Sequence, residues 1–486
     1  MDIRKGLVFC AALAAGEALA FAFPLWAANT RIVCAVAALF ATLCAWGWRR
    51  WSLFLVACAL FGFARAGQIL AGQQRVFARA QLWNKGAPLE ATFTIPERQT
   101  VWPAAAGGMN MTFRSAIGPV PVNVRLSGLD ADALPRTGER WRCAGWLAVD
   151  KPAWGGRYDY RVRGRGSFAR RLAPADEGSF SARIRRLRQA LSRRLGWGVA
   201  PDREAVRLVR AILLGERANL PRETRDAFAD AGTIHVFAIS GLHVMVVTQL
   251  LSVLLVLLYI PERVAGLVLI PLIWVYVLLT GGNPSAMRAA CMASLYVTAP
   301  VFGRAPNGLI AWIVTFFAAH VWDPTLLQDI GSRLSFVVVL TLILAVRATQ
   351  AYGAGPRLII LTLATWAVGV PLVAASFGRF TFGGLIANLV LVPAAECAVI
   401  VASAGLVVGC LSATLAAYFN NLAALMTDIM SNISFLAAAL PGAHGTTPPW
   451  PWYACILWYF ALGGGLWLVA HYGACRTARL DLAGEE

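Results

Sequence analysis

Two histidines, a serine and a glycine stand at the head of a long apolar run in AGTIHVFAISGLHVMVV, Ala231–Val247. Polar groups there are costly in lipid, so they face a cavity, a partner or one another. His235 and His243 are eight residues apart, roughly 80° around a helix, and could address one ligand. A metal would need a third donor, and the stretch supplies none. Ser240 and His243 are residue types that a hydrolase uses as nucleophile and base. Polar packing of the helix start uses the same residues. Gly241 permits a close helix approach or a local break. Arg288 falls about one turn into another apolar run, where a charge is either paired or faces water. Asp329 and Glu396 are its possible partners, and Glu396, in the apolar run after Pro393, poses the same choice.

The elements that must position these residues follow from composition. Of 486 residues, 58% are hydrophobic and 14% charged, against about 45–50% and 25% in a soluble domain. The excess lies in runs long enough to cross a bilayer, which takes about 20 apolar residues per helix. The basic, apolar start resembles a signal peptide, but Ile32–Trp48 and Trp51–Leu70 follow at once, so residues 1–72 read as a retained three-helix anchor. Residues 84–172 alternate short strand-like runs with Gly and Pro. Ala87–Ile95, Met109–Ser115, Val120–Leu126, Glu139–Val149 and Asp159–Arg170 are five candidate strands of a small OB-like barrel. Residues 180–232 begin with a basic amphipathic helix, Ser181–Leu195, which could lie on the membrane or pack on its own domain. Residues 233–475 contain nine further apolar runs: His235–Tyr259, Val264–Thr280, Pro284–Phe302, Gly308–Val321, Leu326–Arg347, Leu358–Phe377, Gly384–Cys410, Tyr418–Leu440 and Trp452–His471. The fold class is thus an all-α polytopic membrane protein of about 12 spans with an inserted β-barrel domain.

Charge orients it. Arg4-Lys5, Arg49-Arg50, Glu262-Arg263, Arg304 and Arg347–Arg357 fall in alternate loops and belong in the cytoplasm, which puts the β-domain outside and both termini inside. The formal net charge is +18, and residues 73–200 hold 22 Lys and Arg against nine Asp and Glu. That excess suits nucleic acid, anionic lipid or mere solubility. Nine of the ten cysteines lie in or beside apolar runs, only Cys143 lies in the β-domain, and no CxxC pair exists. A Gly-x-x-x-x-Gly-Lys-Ser/Thr phosphate loop is absent.

The Ala231–Val247 stretch closely resembles the signature of the ComEC competence family. Other segments agree in order: GGNPSAMRAACM at Gly281–Met292, LLQDIGSRLSFVVV at Leu326–Val339, and FGRFTFGGLIANLVLVP at Phe377–Pro393, which contains Asn388. KPAWGGRYDYRVRGRG at Lys151–Gly166 is similar to the end of the family's β-domain. One departure is local: Ser332 and Arg333 stand where members carry Phe-Gln. Another is larger, since full-length members often end in a metallo-β-lactamase-like domain, and five histidines here do not supply that site. The chain is therefore expected to be a short form with no catalytic site, metal or cofactor of its own. Intramembrane serine proteases carry Gly-x-Ser-Gly, whereas this chain has Ala238-Ile239-Ser240-Gly241.

The resemblance implies a channel that passes single-stranded DNA through the cytoplasmic membrane in natural transformation. Its path would use His235, Ser240, Gly241, His243, Arg288, Asp329, Arg333, Asn388 and Glu396. The external domain would meet DNA through Arg140, Arg142, Arg161, Arg163 and Arg165, with bases stacking on Trp141, Trp146 or Tyr158. Those aromatics serve equally well as barrel core. Expected partners are the bilayer, single-stranded DNA, a DNA receptor outside, a separate nuclease, and a cytoplasmic DNA-binding or helicase protein. The rival readings are a transporter of another anionic or lipid-linked substrate on the same fold, and an intramembrane hydrolase.

Overall fold

A computed structural model describes residues 8, 10–15, 17, 58–68, 87–95, 99–103, 109–117, 120–130, 134–135, 138–150, 159–173, 178–200, 203–217, 220–237, 239–381, 383–440, 444–448 and 450–483. The expected span Ile32–Trp48 lies outside them. Two compact units result: Met1–Arg186 with Phe316–Asp329, and Leu187–Thr315 with Ile330–Glu486.

The first unit holds a six-stranded sheet: β1 (Ala87–Thr94), β2 (Gln99–Pro103), β3 (Met109–Ile117), β4 (Val120–Leu129), β5 (Arg140–Asp150) and β6 (Asp159–Ala173), in the order β1-β5-β6-β4-β3-β2. All pairs are antiparallel except β4 with β6. This corrects the five-stranded closed barrel: β2 is an additional strand, and no ladder joins β1 to β2 among the described residues. β2 is easily overlooked, because five residues ending in Pro103 carry little strand signal. Alternation buries one face of the sheet. Phe93, Met111, Phe113, Val122, Val124, Leu126, Trp141, Cys143 and Leu147 form its core, with Phe93 and Phe113 edge to face at 6.0 Å. Burial pushes the Cys143 thiol up to about 11, so it is a small hydrophobe rather than a reactive thiol. Elsewhere in this unit, Arg65 of helical residues 58–68 donates from Nε to Val321 O at 3.1 Å and from Nη2 to Trp322 O at 3.2 Å. It thereby satisfies the last carbonyls of the helix Gly308–Trp322.

The second unit is helical, and of the helices that follow only residues 180–186 and 316–322 belong to the first unit. Three shorter helices lead in: α1 (Phe180–Arg194), α2 (Glu204–Leu214) and α3 (Arg222–Asp230). A 3-10 turn, Ile234–Phe237, then feeds α4 (Gly241–Leu257), α5 (Glu262–Leu279), α6 (Pro284–Thr298) and α7 (Gly308–Trp322). Next come α8 (Ile330–Ala348), α9 (Ala354–Phe377), α10 (Gly383–Val408), α11 (Ala413–Ala439) and α12 (Trp452–Ala483). Strands β7 (Arg379–Thr381) and β8 (His444–Thr446) pair across the α9–α10 and α11–α12 connections. Among the described residues six helices are long and apolar enough to cross a membrane: α5, α8, α9, α10, α11 and α12. The shorter α4 and α7 are apolar as well. The chain is a multi-pass membrane protein. One expected span is shortened, since Pro284–Phe302 divides into the 15-residue α6 and a 3-10 turn at Pro300–Phe302.

The basic amphipathic helix, α1, docks through part of its length on the protein's own helices. Leu195 is buried and Leu191 packs beside it. Arg188 of this helix is buried, and its Nη2 donates to Leu214 O at 2.8 Å. That bond closes the C-terminal end of α2, where Gly215 adopts φ 73°. A Cβ on Gly215 would also meet Ile239 Cδ1 at 3.0 Å.

Candidate functional site

The 3-10 turn and α4 are joined at Ser240, the N-cap residue, whose backbone is extended (φ −95°, ψ 170°). Its backbone N–H donates to His243 Nδ1 at 3.3 Å, and its hydroxyl lies 2.9 Å from the same nitrogen. His243 thus does at the third helical position what Glu or Gln does in a capping box. The backbone N–H can only donate, so Nδ1 is unprotonated and a neutral ring carries its proton on Nε2. Nε2 is buried and has no hydrogen-bond partner among the described residues. This geometry makes the Ser240–His243 pair a helix cap first, with the lone pair a hydrolase base would need already engaged.

His243 faces a pocket of about 80 Å³ between α4 and α10. Leu242, His243 and Val246 line it from α4, with His235, Val236 and Ser240 from the preceding turn. Val392, Ala395, Glu396 and Val399 line it from α10, at the spacing of one helix face. Four residues flagged from sequence, His235, Ser240, His243 and Glu396, therefore converge. Arg217, which sequence reasoning passed over, acts electrostatically on His243. No group of three or more His, Cys, Asp or Glu among the described residues is arranged to hold a metal ion.

The other flagged residues stand elsewhere. Gly241 faces α6, where a Cβ would lie 3.5 Å from Ala289 Cβ, an ordinary contact. Arg288 is buried on α6 and donates from Nη2 to Gly331 O at 3.1 Å, with its guanidinium 5.6 Å from the Phe336 ring. Glu396, considered as its partner, faces the histidine pocket. Asn388, two turns before Glu396 on α10, keeps a buried Oδ1 without a partner among the described residues. Arg333 is exposed on α8, and the Asp329 backbone N–H closes the turn before α8 by donating to Leu326 O at 3.2 Å.

In the sheet, Trp141 is core, 8% exposed, and its Nε1 donates to Glu139 Oε2 at 2.8 Å. Stacking on bases is closed to it. Trp146, five residues on and 49% exposed, points to the opposite face. Register sets Trp146 of β5 opposite Arg163 of β6, and Arg163 opposite Arg125 of β4. All three are exposed, so one row across the outer face reads Trp, Arg, Arg. Arg125 was not among the sequence candidates. Arg140 and Arg142 are also exposed, and Arg142 is registered opposite Arg170. The backbones of Arg161 and Arg165 flank Arg163 at alternate positions of β6. Tyr158 lies outside the described residues.

Residues 212–471, more than half of the chain, match the family model described as Competence protein. The chain belongs to the competence protein family. It is 29% identical over 216 residues to ComE operon protein 3 of Bacillus subtilis (strain 168), which covers 44% of this chain and 27% of that protein. Over 166 residues it is 31% identical to an uncharacterized protein of Aquifex aeolicus (strain VF5), covering 34% of this chain and 39% of the relative. YcaI, an uncharacterized protein of Escherichia coli (strain K12), is 28% identical over 145 residues, 27% of this chain and 18% of the relative. The chain spans well under half the length of each of these relatives. No solved structure matches it. The competence match begins within α2 and takes in the whole α4–α10 pocket, whereas the sheet precedes it.

Proposed function

We propose that this competence family member passes single-stranded DNA across the cytoplasmic membrane in natural transformation. The observation that carries the proposal is the exposed row Trp146–Arg163–Arg125 in a domain attached to a multi-pass membrane protein. Single strands are held sequence-independently by stacking of bases on aromatic rings and by cations along the backbone, and the row offers both. The strand order supports an OB-type domain, because it is the order of a five-stranded barrel whose first strand divides into β1 and β2.

The same reading retains about 12 spans, with the sheet outside and both termini inside. Glu262-Arg263 opens α5, Arg304 precedes α7, Arg347 ends α8 and Arg357 begins α9, so these charges alternate with the loops between. Phosphates cross only along a wetted path, which broken helix starts such as Ser240-Gly241 would line. The chain itself carries out no catalysis in this scheme. A separate nuclease, an external DNA receptor and a cytoplasmic DNA-binding or helicase protein complete it.

The test is uptake of labelled DNA by a deletion strain carrying no copy, the wild-type gene, or Arg125→Gln/Arg163→Gln. Restoration by the wild type and loss in the double variant, at equal membrane abundance, are expected. Equal uptake with and without the gene overturns the proposal.

A further inference from the structure

We propose that the pocket between α4 and α10 is a proton-binding site, in which water bridges His243 Nε2 and the Glu396 carboxyl. The cap leaves His243 with an N–H on Nε2, buried and without an acceptor among the described residues. A buried donor left in that state costs about 1–3 kcal/mol, so an acceptor belongs opposite it. The pocket's 80 Å³ exceeds the ~10–15 Å³ that one water requires. A buried water needs two to four polar partners, and His243, Glu396 and Ser240 all line the space, with the exposed His235 beside them. The remaining walls, Val236, Leu242, Val246, Val392, Ala395 and Val399, are apolar. A metal ion is disfavoured because Nε2 presents a proton rather than a lone pair.

In the proposed site the bridging water couples the two groups, so that they titrate as a pair. An imidazolium at His243 carries its second proton on Nδ1, which displaces the Ser240 N–H from the cap, and an ionised Glu396 across the pocket stabilises that cation. Other charges bear on this balance. Arg217 and His235 are the charged and titratable groups that bear on His243. On the packed helices, Arg288 of α6 is bonded to Gly331 O, Asp428 of α11 to Arg203, Glu204 of α2 to Thr224, and Arg210 of α2 to Ser192 O. Arg207 also stands on α2, Glu262 and Arg263 begin α5 beyond the far end of α4, and Arg357 begins α9. Proton uptake at His243 would thus loosen the α4 cap at the wall that α4 shares with α10.

The test uses the full chain in lipid nanodiscs with ¹⁵N-labelled histidine. Five histidine signals are expected, and His243→Gln assigns the one that matters. In the wild type His243 should show the Nε2–H form at neutral pH. Glu396→Gln should move its titration midpoint to lower pH by about one unit, the effect of removing a nearby negative charge. Asp428→Asn, whose charge is already paired with Arg203, should leave the midpoint in place. An Nδ1–H ring, or an unchanged midpoint in a folded Glu396→Gln protein, overturns the proposal. If Glu396→Gln fails to fold, Glu396→Asp, with its carboxylate drawn back by one methylene, must shift the midpoint, and no shift there is equally decisive. No DNA enters the measurement, so its failure is separable from failure of the transport reading.

Discussion

Replacing Arg125 and Arg163 together by Gln isolates what the sheet contributes to binding a strand. Both side chains are exposed and opposite one another in the β4–β6 ladder, so their loss should leave stability within about 0.5 kcal/mol. Each cation that neutralises a phosphate of a single strand adds about −0.7 to the slope of log K against log salt. Two of them account for about 1.4 of that slope. Over a fourfold rise in salt, they therefore carry about a sevenfold change in affinity. Trp146→Ala acts differently: one lost base stack costs about 1–3 kcal/mol, or about 5–150-fold in affinity, with the slope unchanged. The assay is fluorescence anisotropy of a labelled oligothymidylate with the full chain in nanodiscs, at salt from about 50 to 200 mM. A double variant that melts like the wild type and keeps its full slope would refute the assignment of this row to DNA. So would Trp146→Ala with unaltered affinity.

Three further outcomes follow from packing. Trp141→Ala should cost about 3–5 kcal/mol and expose the β-domain to protease, because the indole is core and its N–H is satisfied by Glu139; wild-type protease resistance would contradict this. Gly266→Ala should lower the melting temperature in detergent, because its Cβ would stand 2.7 Å from Val297 O where α5 crosses α6; overpacking of this kind costs about 1–3 kcal/mol. Arg288→Gln should lower membrane abundance and DNA uptake together, since a charged hydrogen bond of about 1.5–3 kcal/mol to Gly331 is lost; normal abundance with lost uptake would move Arg288 from support into the path.

Sequence carried some of this and not the rest, for reasons visible in particular residues. Alternation in RWRCAGW already separates Trp141 from Trp146, because an odd spacing puts them on opposite faces of a strand. The same rule exposes Arg125 in VNVRL, but one arginine among apolar neighbours drew less notice than the RVRGR run of β6. Ser240 and His243 were legible as a polar pair at a helix start. Their meeting with Glu396 was not, since more than 150 residues separate them and only the packing of α4 on α10 closes the distance. The burial of Arg188 was not legible either, because helical periodicity knows nothing of the Leu214 carbonyl that draws it inward. The strand β2 and the 15-residue α6 were too short for length and hydropathy to fix.

Polar residues in an apolar helix are often read as a path, yet many here have a nearer task. With little water available, the ends of helices and the turns between them must find partners in the protein. Arg188 closes α2, and Arg65 closes α7. Asn420 of α11 donates to Arg194 O at 2.9 Å and to Trp197 O at 3.0 Å, while Asn421 donates to Gly198 O at 2.9 Å, which together pin the turn after α1. Ser240 and His243 Nδ1 cap α4. Each of these groups is accounted for by backbone satisfaction alone, and none requires a permeating ion or strand. Backbone satisfaction leaves other buried polar atoms unpartnered among the described residues, including His243 Nε2, Asn388 Oδ1 on α10, Ser294 Oγ on α6 and Asn420 Oδ1 on α11. Of these, His243 Nε2 shares a pocket with a carboxyl, that of Glu396 on α10. Function within the helical unit is therefore best sought first where α4 and α10 line that pocket together.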